Sequence, residues 1–256
     1  MKYFASYHTD VGITKKTNQD SFAIKIVEIN REVVAFAVVC DGMGGLEKGE
    51  LASKEVVYAF CDWFENVLYE DIANRRFEPE RLKGQWSEII NQQNIKLGKY
   101  GKENNFMLGT TVTAILMYKE KYYITHVGDS RVYQLTDTVN ILTTDHTLVA
   151  REVAAGRLTP RQALVDPRRS ILLQCVGASE VVKPEFLTGK VKKDTTYMIC
   201  SDGFRHKISE SEILENLGQR LSINESVMHR ACVNLVETVK KRKENDNVTV
   251  VLIKAV

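Results

Sequence analysis

Five aspartates stand in one recurring context. Asp41 follows the apolar residues 35–40 and opens the glycine-dense run Gly42-Met43-Gly44-Gly45. Asp129 follows the strand-like residues 122–127, in Gly128-Asp129-Ser130-Arg131. Asp202 follows 197–200, in Ser201-Asp202-Gly203-Phe204. Asp246 directly precedes the last apolar run, and Asp20 leads into an early one. Carboxylates at strand ends can converge on one edge of a sheet, where they repel one another unless cations lie between them. An all-oxygen donor set selects hard ions such as Mg²⁺ or Mn²⁺. A lone Asp-Gly reads more readily as a hairpin turn. That reading weakens here because Asp41-Gly42 and Asp202-Gly203 both lead towards helices. The glycine density after Asp41 suits backbone brought close to a ligand, with a carbonyl available as a donor.

Elements of both periods must position these residues. Strands are expected near 2–8, 21–29 and 33–40. A helix over about 49–74 has Ala52, Val56, Phe60, Phe64 and Val67 at helical spacing. A second spans about 79–103 and presents Gln92, Gln93, Lys96 and Lys99 to solvent. Strands follow near 110–118, 121–128 and 131–135, then short helices, one opened by Thr159-Pro160 with Gln162 completing a capping box. Strands near 185–191 and 195–200 come next. Capping boxes at Ser209–Glu212 and Ser222–Glu225 predict helices over 209–217 and 222–243, before a closing strand at 248–253. Many antiparallel-type strands with helix pairs in separate blocks predict an α+β layered sandwich, one domain over 1–256.

Composition excludes several classes. Thirty-five Lys and Arg against 33 Asp and Glu leave a net charge of +2, without the basic excess of a nucleic-acid binder. The longest apolar run, 33–40, is far shorter than the roughly 20 residues of a membrane span, and the N-terminus has no apolar stretch of signal-peptide length. Five cysteines form no CxxC pair, which argues against a disulfide framework or zinc ribbon and for a soluble cytoplasmic protein.

Six motifs occur in order: Thr17-Asn18-Gln19-Asp20, Cys40-Asp41-Gly42-Met43-Gly44-Gly45, Gly109-Thr110-Thr111, Gly128-Asp129-Ser130-Arg131, Ser201-Asp202-Gly203 and Asp246-Asn247-Val248-Thr249. Each alone is weak; together they are specific, and over essentially the whole chain the sequence resembles the protein phosphatase 2C (PPM) family of metal-dependent Ser/Thr phosphatases, especially its compact bacterial members. The resemblance implies a four-layer αββα sandwich of two antiparallel sheets flanked by helix pairs. It implies that Asp41 bridges two Mn²⁺ or Mg²⁺ ions, that the Gly42 carbonyl ligates the second and that Asp202 and Asp246 hold the first. Asp129 with Asp202 would form a third, weaker site. Asp20 would hydrogen-bond metal-bound water, and Asn247 would help shape the edge. Metal-activated water would then hydrolyse phosphoserine or phosphothreonine in protein substrates, opposing a cognate Ser/Thr kinase, with the phosphatase a monomer.

Several positions depart from the family pattern. Lys15, three residues after Gly12, stands where the family usually has a phosphate-clamping Arg, and lysine is a point charge without the bidentate fork. Neighbours in an extended segment face opposite ways, so Lys16 is the internal comparison. Met43 and Leu46 replace histidines found in relatives, and Arg205-His206 follow Ser-Asp-Gly where an acidic residue is common. Of the remaining candidates, His146 reads as a structural hydrogen-bonding residue, His126 as a core or edge residue and His206 as exposed. Cys40 and Cys200 read as strand packing, Ser201 lacks a nucleophile elbow, and Lys240-Lys241-Arg242-Lys243 reads as a solvated helix end. Residues 148–177, with five arginines, read equally as a flap beside the site or as a helical cover. The alternatives to turnover on phosphoproteins are a phosphoprotein-binding module without turnover and an enzyme for small phosphoesters.

Overall fold

The computed structural model describes residues 1–43, 48–218 and 224–256. Among these, strands β1 (Tyr3–Asp10), β2 (Asp20–Ile29), β3 (Glu32–Asp41), β4 (Val112–Tyr118), β5 (Lys121–Val127), β6 (Arg131–Leu135), β7 (Val139–Ile141), β8 (Glu185–Lys190), β9 (Thr196–Cys200) and β10 (Val248–Ala255) form two antiparallel sheets. Their orders are β1-β10-β9-β6-β7 and β2-β3-β4-β5-β8.

The period-2 alternation of β3 explains why the sheets stack. Ala35, Ala37 and Val39 face the other sheet, packing in one cluster with Ile115, Ile124, Val132, Ile199, Val251 and Ile253. Val34, Phe36, Val38 and Cys40 face the opposite way, against Val56 and Phe60 of the helix α1 (Gly49–Asp62), Trp63 just after it, and Trp86 and Ile90 of α3 (Pro79–Asn104). With both faces covered, every residue from Val34 to Cys40 is buried, hence the unbroken apolar run. On the first sheet Met198, Cys200, Val248, Val250 and Leu252 meet Phe204 of α6 (Asp202–Arg205), Ile213 of α7 (Glu210–Leu217) and Met228, Cys232 and Leu235 of α8 (Glu225–Lys241). The layers are therefore helix, sheet, sheet, helix, as expected.

The differences from expectation are local. The helix predicted over 49–74 contains a π-helical segment, Trp63–Leu68, before α2 (Tyr69–Ala73). The wider turn delays the apolar face by one residue, so Leu68 is buried and Val67 is exposed. Three-residue β7 and four-residue α6 are too short for periodicity to reveal. The short helices before β8 are α4 (Leu148–Ala154) and α5 (Pro160–Val165), and α5 opens with the predicted Thr159–Gln162 capping box. The Ser209–Glu212 box is also formed. Ser222 lies outside the described residues; α8 begins at Glu225, with the Asn224 side chain accepting the Val227 N–H. Among the described residues no helix is long and apolar enough to cross a membrane.

Two glycines should respond oppositely to alanine. A Cβ at Gly203 would collide with the Asn247 carbonyl, whereas one at Gly84 in α3 meets nothing within 4 Å. Gly203→Ala should cost about 1–3 kcal/mol as an overpacked contact. Gly84→Ala should stabilise by about 0.5–1 kcal/mol. Urea unfolding of the two variants checks both signs.

Candidate metal centre

All five aspartates reach one edge of the sandwich. Asp20 opens β2 and Asp41 closes β3, and the two are direct cross-strand partners. Asp202 follows β9 and begins α6, while Asp246 lies just ahead of β10, the neighbour of β9. Asp129 sits in the link that crosses from β5 in one sheet to β6 in the other.

The flanking motif residues hold these ends together. Thr111 clamps Asp41 from both sides: its Oγ1 accepts the Asp41 N–H at 2.9 Å and its own N–H donates to the Asp41 carbonyl at 2.8 Å. Thr110 Oγ1 donates to the same carbonyl at 2.9 Å. Thr111 Oγ1 also pairs with Ser130 Oγ at 3.0 Å, joining the Asp41 and Asp129 segments. Gly128 has a φ of +113°, and a Cβ there would press into Thr111. Gly42 is confined by the carbonyls of Gln19 and Gly49, so the Asp-Gly signal reports close backbone approach. Gly44, Gly45 and Leu46 lie outside the described residues.

Asn247 and Ser201 do more than the sequence revealed. Asn247 Oδ1 accepts the Gln19 N–H at 3.0 Å, and its Nδ2 donates to the Val11 and Thr17 carbonyls at 2.9 and 3.1 Å. One amide thus binds the 11–19 segment to the Asp246 segment. Buried Ser201 donates to Asp20 Oδ2 at 2.9 Å and accepts the Thr249 N–H at 3.0 Å. Its place between Cys200 and Asp202 carries no signature of that role.

The electrostatics are those of crowded anions. Burial pushes the Asp20 carboxyl up to about 7 against the hydrogen bonds of Thr249 and Ser201, with Asp202 and Asp246 adding repulsion. Asp41 is raised well above its ordinary value by burial and then by Asp20, Asp202, Asp129 and Asp246. Asp129 rises to about 7 through burial and Asp202, opposed by Arg205. Lys15 Nζ lies 3.2 Å from Asp246 Oδ1. The turn that places Lys15 uses Gly12 at a φ of +78°, with its N–H donated to Asp10 Oδ1 at 2.7 Å. Lys15 and Lys16 lie in this turn and not in a strand, so strand alternation does not separate them. Burial does: Lys16 is exposed and Lys15 is not.

The residues fit a hard divalent ion. The donors are all oxygen, and buried Asp20 Oδ1 has no hydrogen-bond partner among the described residues. Among those residues no three His, Cys, Asp or Glu side chains are drawn together as a closed cage. Mg²⁺-like ions need none, since they usually keep several waters and take one or two carboxylates. Asp20, Asp41, Asp129, Asp202 and Asp246 are the carboxylates whose charges meet at this edge.

Other expectations sort clearly. His206 is not exposed: its ring sits between Asp202 Oδ2 at 3.6 Å and Glu244 Oε2 at 3.8 Å. Cys40 and Cys200 are buried packing residues. Lys240 and Arg242 pair with Asp10, Glu237 and Glu212, as a solvated helix end would. Arg205 departs from the family pattern, and its guanidinium lies against Asp129. His146 is structural: its Nδ1 accepts the Gly128 N–H at 3.2 Å and pairs with Gln174 Nε2 at 2.8 Å.

The family model described as Protein phosphatase 2C matches residues 12–243. The serine/threonine protein phosphatase PstP of Mycobacterium tuberculosis is 32% identical over 245 residues, covering 95% of this chain and 43% of that longer protein. The crystal structure of the serine/threonine phosphatase Stp1 from Staphylococcus aureus superposes with a TM-score of 0.82 at 27% identity, over 100% of this chain and 96% of that one. The PstP catalytic domain crystallised with two manganese ions aligns at 0.75 and 26% identity, over 99% of each chain.

His126, behind the Asp129 segment, supplies a pH test. It is fully buried, its Nδ1 pairs with Thr113 Oγ1 at 2.8 Å and its ring lies 4.8 Å from that of His146. Burial, then His146, holds it down at about 3 from 6.5. The unfolded chain therefore takes up the proton first: the stability is full above pH 6.5 and is lost progressively from there towards pH 3. By pH 5 the loss should reach about 2 kcal/mol. Asp20 and Asp129 carry raised values and act with the opposite sign, so the difference between wild type and His126→Asn isolates the histidine. In urea unfolding with EDTA, the wild type should lose about 2 kcal/mol more than the variant between pH 7 and pH 5. Equal losses would show that His126 is not held neutral.

Proposed function

Because the chain belongs to the protein phosphatase 2C family, we propose that it is a metal-dependent protein serine/threonine phosphatase, acting on phosphoserine and phosphothreonine in proteins and opposing a Ser/Thr kinase in the same cytoplasm. The observation that carries this reading is the meeting of Asp20, Asp41, Asp202 and Asp246 from four strand ends at one edge, with Lys15 beside them. Asp41 and the Gly42 carbonyl on one side, and Asp202 with Asp246 on the other, would hold two Mn²⁺ or Mg²⁺ ions. Bound there, such ions supply Lewis-acid activation of water and neutralise phosphoryl oxygens.

The chain's own groups shape the rest. Asp20, with Oδ2 tied to Ser201 and Oδ1 free, can accept a hydrogen bond from water at the edge. Lys15 Nζ, already 3.2 Å from a site carboxylate, is placed to exchange that partner for a phosphoryl oxygen. Among the described residues, the cysteines and serine next to Asp41 and Asp202 are not free to act as covalent nucleophiles. Burial pushes the Cys40 thiol up and the Cys200 thiol up to about 12, and the Ser201 hydroxyl is committed to Asp20 and Thr249. Water is therefore the attacking group. All the carboxylates needed for turnover are present, so a binding-only role has no observation in its favour.

Hydrolysis of a phosphothreonine peptide with Mn²⁺ or Mg²⁺, and its loss in EDTA, tests the reading. Asp202→Asn and Asp246→Asn should each lower turnover by more than about 100-fold, beyond what loss of an outer-shell partner alone costs, with the circular dichroism unchanged. Near-wild-type activity of either variant at saturating Mn²⁺ would reject the assignment. Lys15→Ala should lower kcat/KM by about 10- to 150-fold, the equivalent of about 1.5–3 kcal/mol for a charge-assisted contact, while Lys16→Ala leaves it unchanged. Equal kinetics for the two lysine variants would remove Lys15 from the site.

A further inference from the structure

The most enclosed cation of the acidic edge belongs to the chain itself. Arg205 lies three residues after Asp202 on the single turn of α6, so both side chains project from one face. Its Nη2 donates to the Asp129 carbonyl at 3.0 Å and lies 3.3 Å from both Asp129 Oδ2 and Asp145 Oδ2. Asp145 is gripped in turn by Arg131 through a fork of two 2.8 Å bonds. The Arg205, Asp129 and Asp145 side chains are 13%, 7% and 10% exposed, so solvent screens these charges little. Arg205 Nε is buried without a partner among the described residues, which makes the two carboxylates the groups that sustain its charge.

We propose that Arg205 is a resident cation of the acidic centre: it neutralises Asp129, keeps a divalent ion out of that corner and so limits the centre to two ions. The charge arrangement supports this. Arg131, Arg205, Asp129 and Asp145 form a closed set of two cations and two anions. A divalent ion on Asp129 would face the fixed guanidinium at contact range. The other four carboxylates, Asp20, Asp41, Asp202 and Asp246, have no such guanidinium bound to them among the described residues, and Lys15 offsets Asp246 alone. The third site that family resemblance places at Asp129 is on this view filled by the side chain of Arg205, a positioning residue acting through Asp129.

The inference rests on the two-ion reading above, and metal counting separates them. Protein stripped with EDTA is titrated with Mn²⁺ alone, and bound ions are counted from the electron paramagnetic resonance signal of free Mn²⁺ and by elemental analysis after gel filtration. Wild type and Asp129→Asn should each bind two ions. Arg205→Gln should gain a third, which the Arg205→Gln/Asp129→Asn double variant loses, and Arg205→Lys should return to two. Three ions in wild type with one lost in Asp129→Asn would overturn the proposal while leaving the phosphatase reading intact. A folded Arg205→Gln still at two ions would also overturn it. Should Arg205→Gln not fold, the comparison of wild type with Asp129→Asn decides alone. A wild type that binds no Mn²⁺ overturns both readings.

Discussion

Mutual repulsion among carboxylates is the constraint on which this edge depends. Asp20, Asp41, Asp129, Asp202 and Asp246 come from different strand ends, and several are raised by burial and by one another. Such a cluster stays assembled only if the backbone is held by bonds that do not involve the charges. Thr110 and Thr111 hold the Asp41 backbone and Asn247 binds the Lys15 turn to the Asp246 segment, while Ser201 bonds the Asp20 carboxylate itself. The scaffold beneath is a core of two sheets and two helix layers packed through three apolar clusters.

Two solutions to the same repulsion lie side by side. At Asp129 the chain supplies its own cations, Arg205 and, through Asp145, Arg131. At Asp246 it supplies Lys15, which is partly exposed and touches a single carboxylate, and beside Asp202 lies the His206 ring. A fixed guanidinium serves structure because it cannot leave, whereas an exchangeable ion leaves coordination positions for water and substrate. On the two-ion reading proposed above, the division between permanent and exchangeable counter-charge separates the supporting part of the edge from the part fit for chemistry.

Glycine in the Asp-Gly pairs has a structural cause. Gly42 and Gly203 lie where another segment's carbonyl occupies the space of a Cβ, Gly49 and Gln19 in one case and Asn247 in the other. The residue after each aspartate therefore lets two backbone segments touch, and that contact brings the acids of different strands within reach of one another.

The residue pattern alone carries the period-2 and helical elements, the capping boxes at Thr159 and Ser209, and the acids that meet at the edge. These are local signals: an apolar run bounded by Asp-Gly, a Ser or Thr three residues before Gln or Glu. Short β7 and α6 escaped because three or four residues carry no period, and the π-helical turn moved burial from Val67 to Leu68 without altering the pattern around it. The partners of these groups come from long-range packing. His206 enters the site region although its neighbours suggest exposure, and Ser201 serves Asp20, 181 residues away. Arg205 meets Asp129 across 76 residues and Asp145 across 60. A side chain's charge is written in the sequence; the group that neutralises it depends on which strand ends the sheets bring together, and that pairing is long-range.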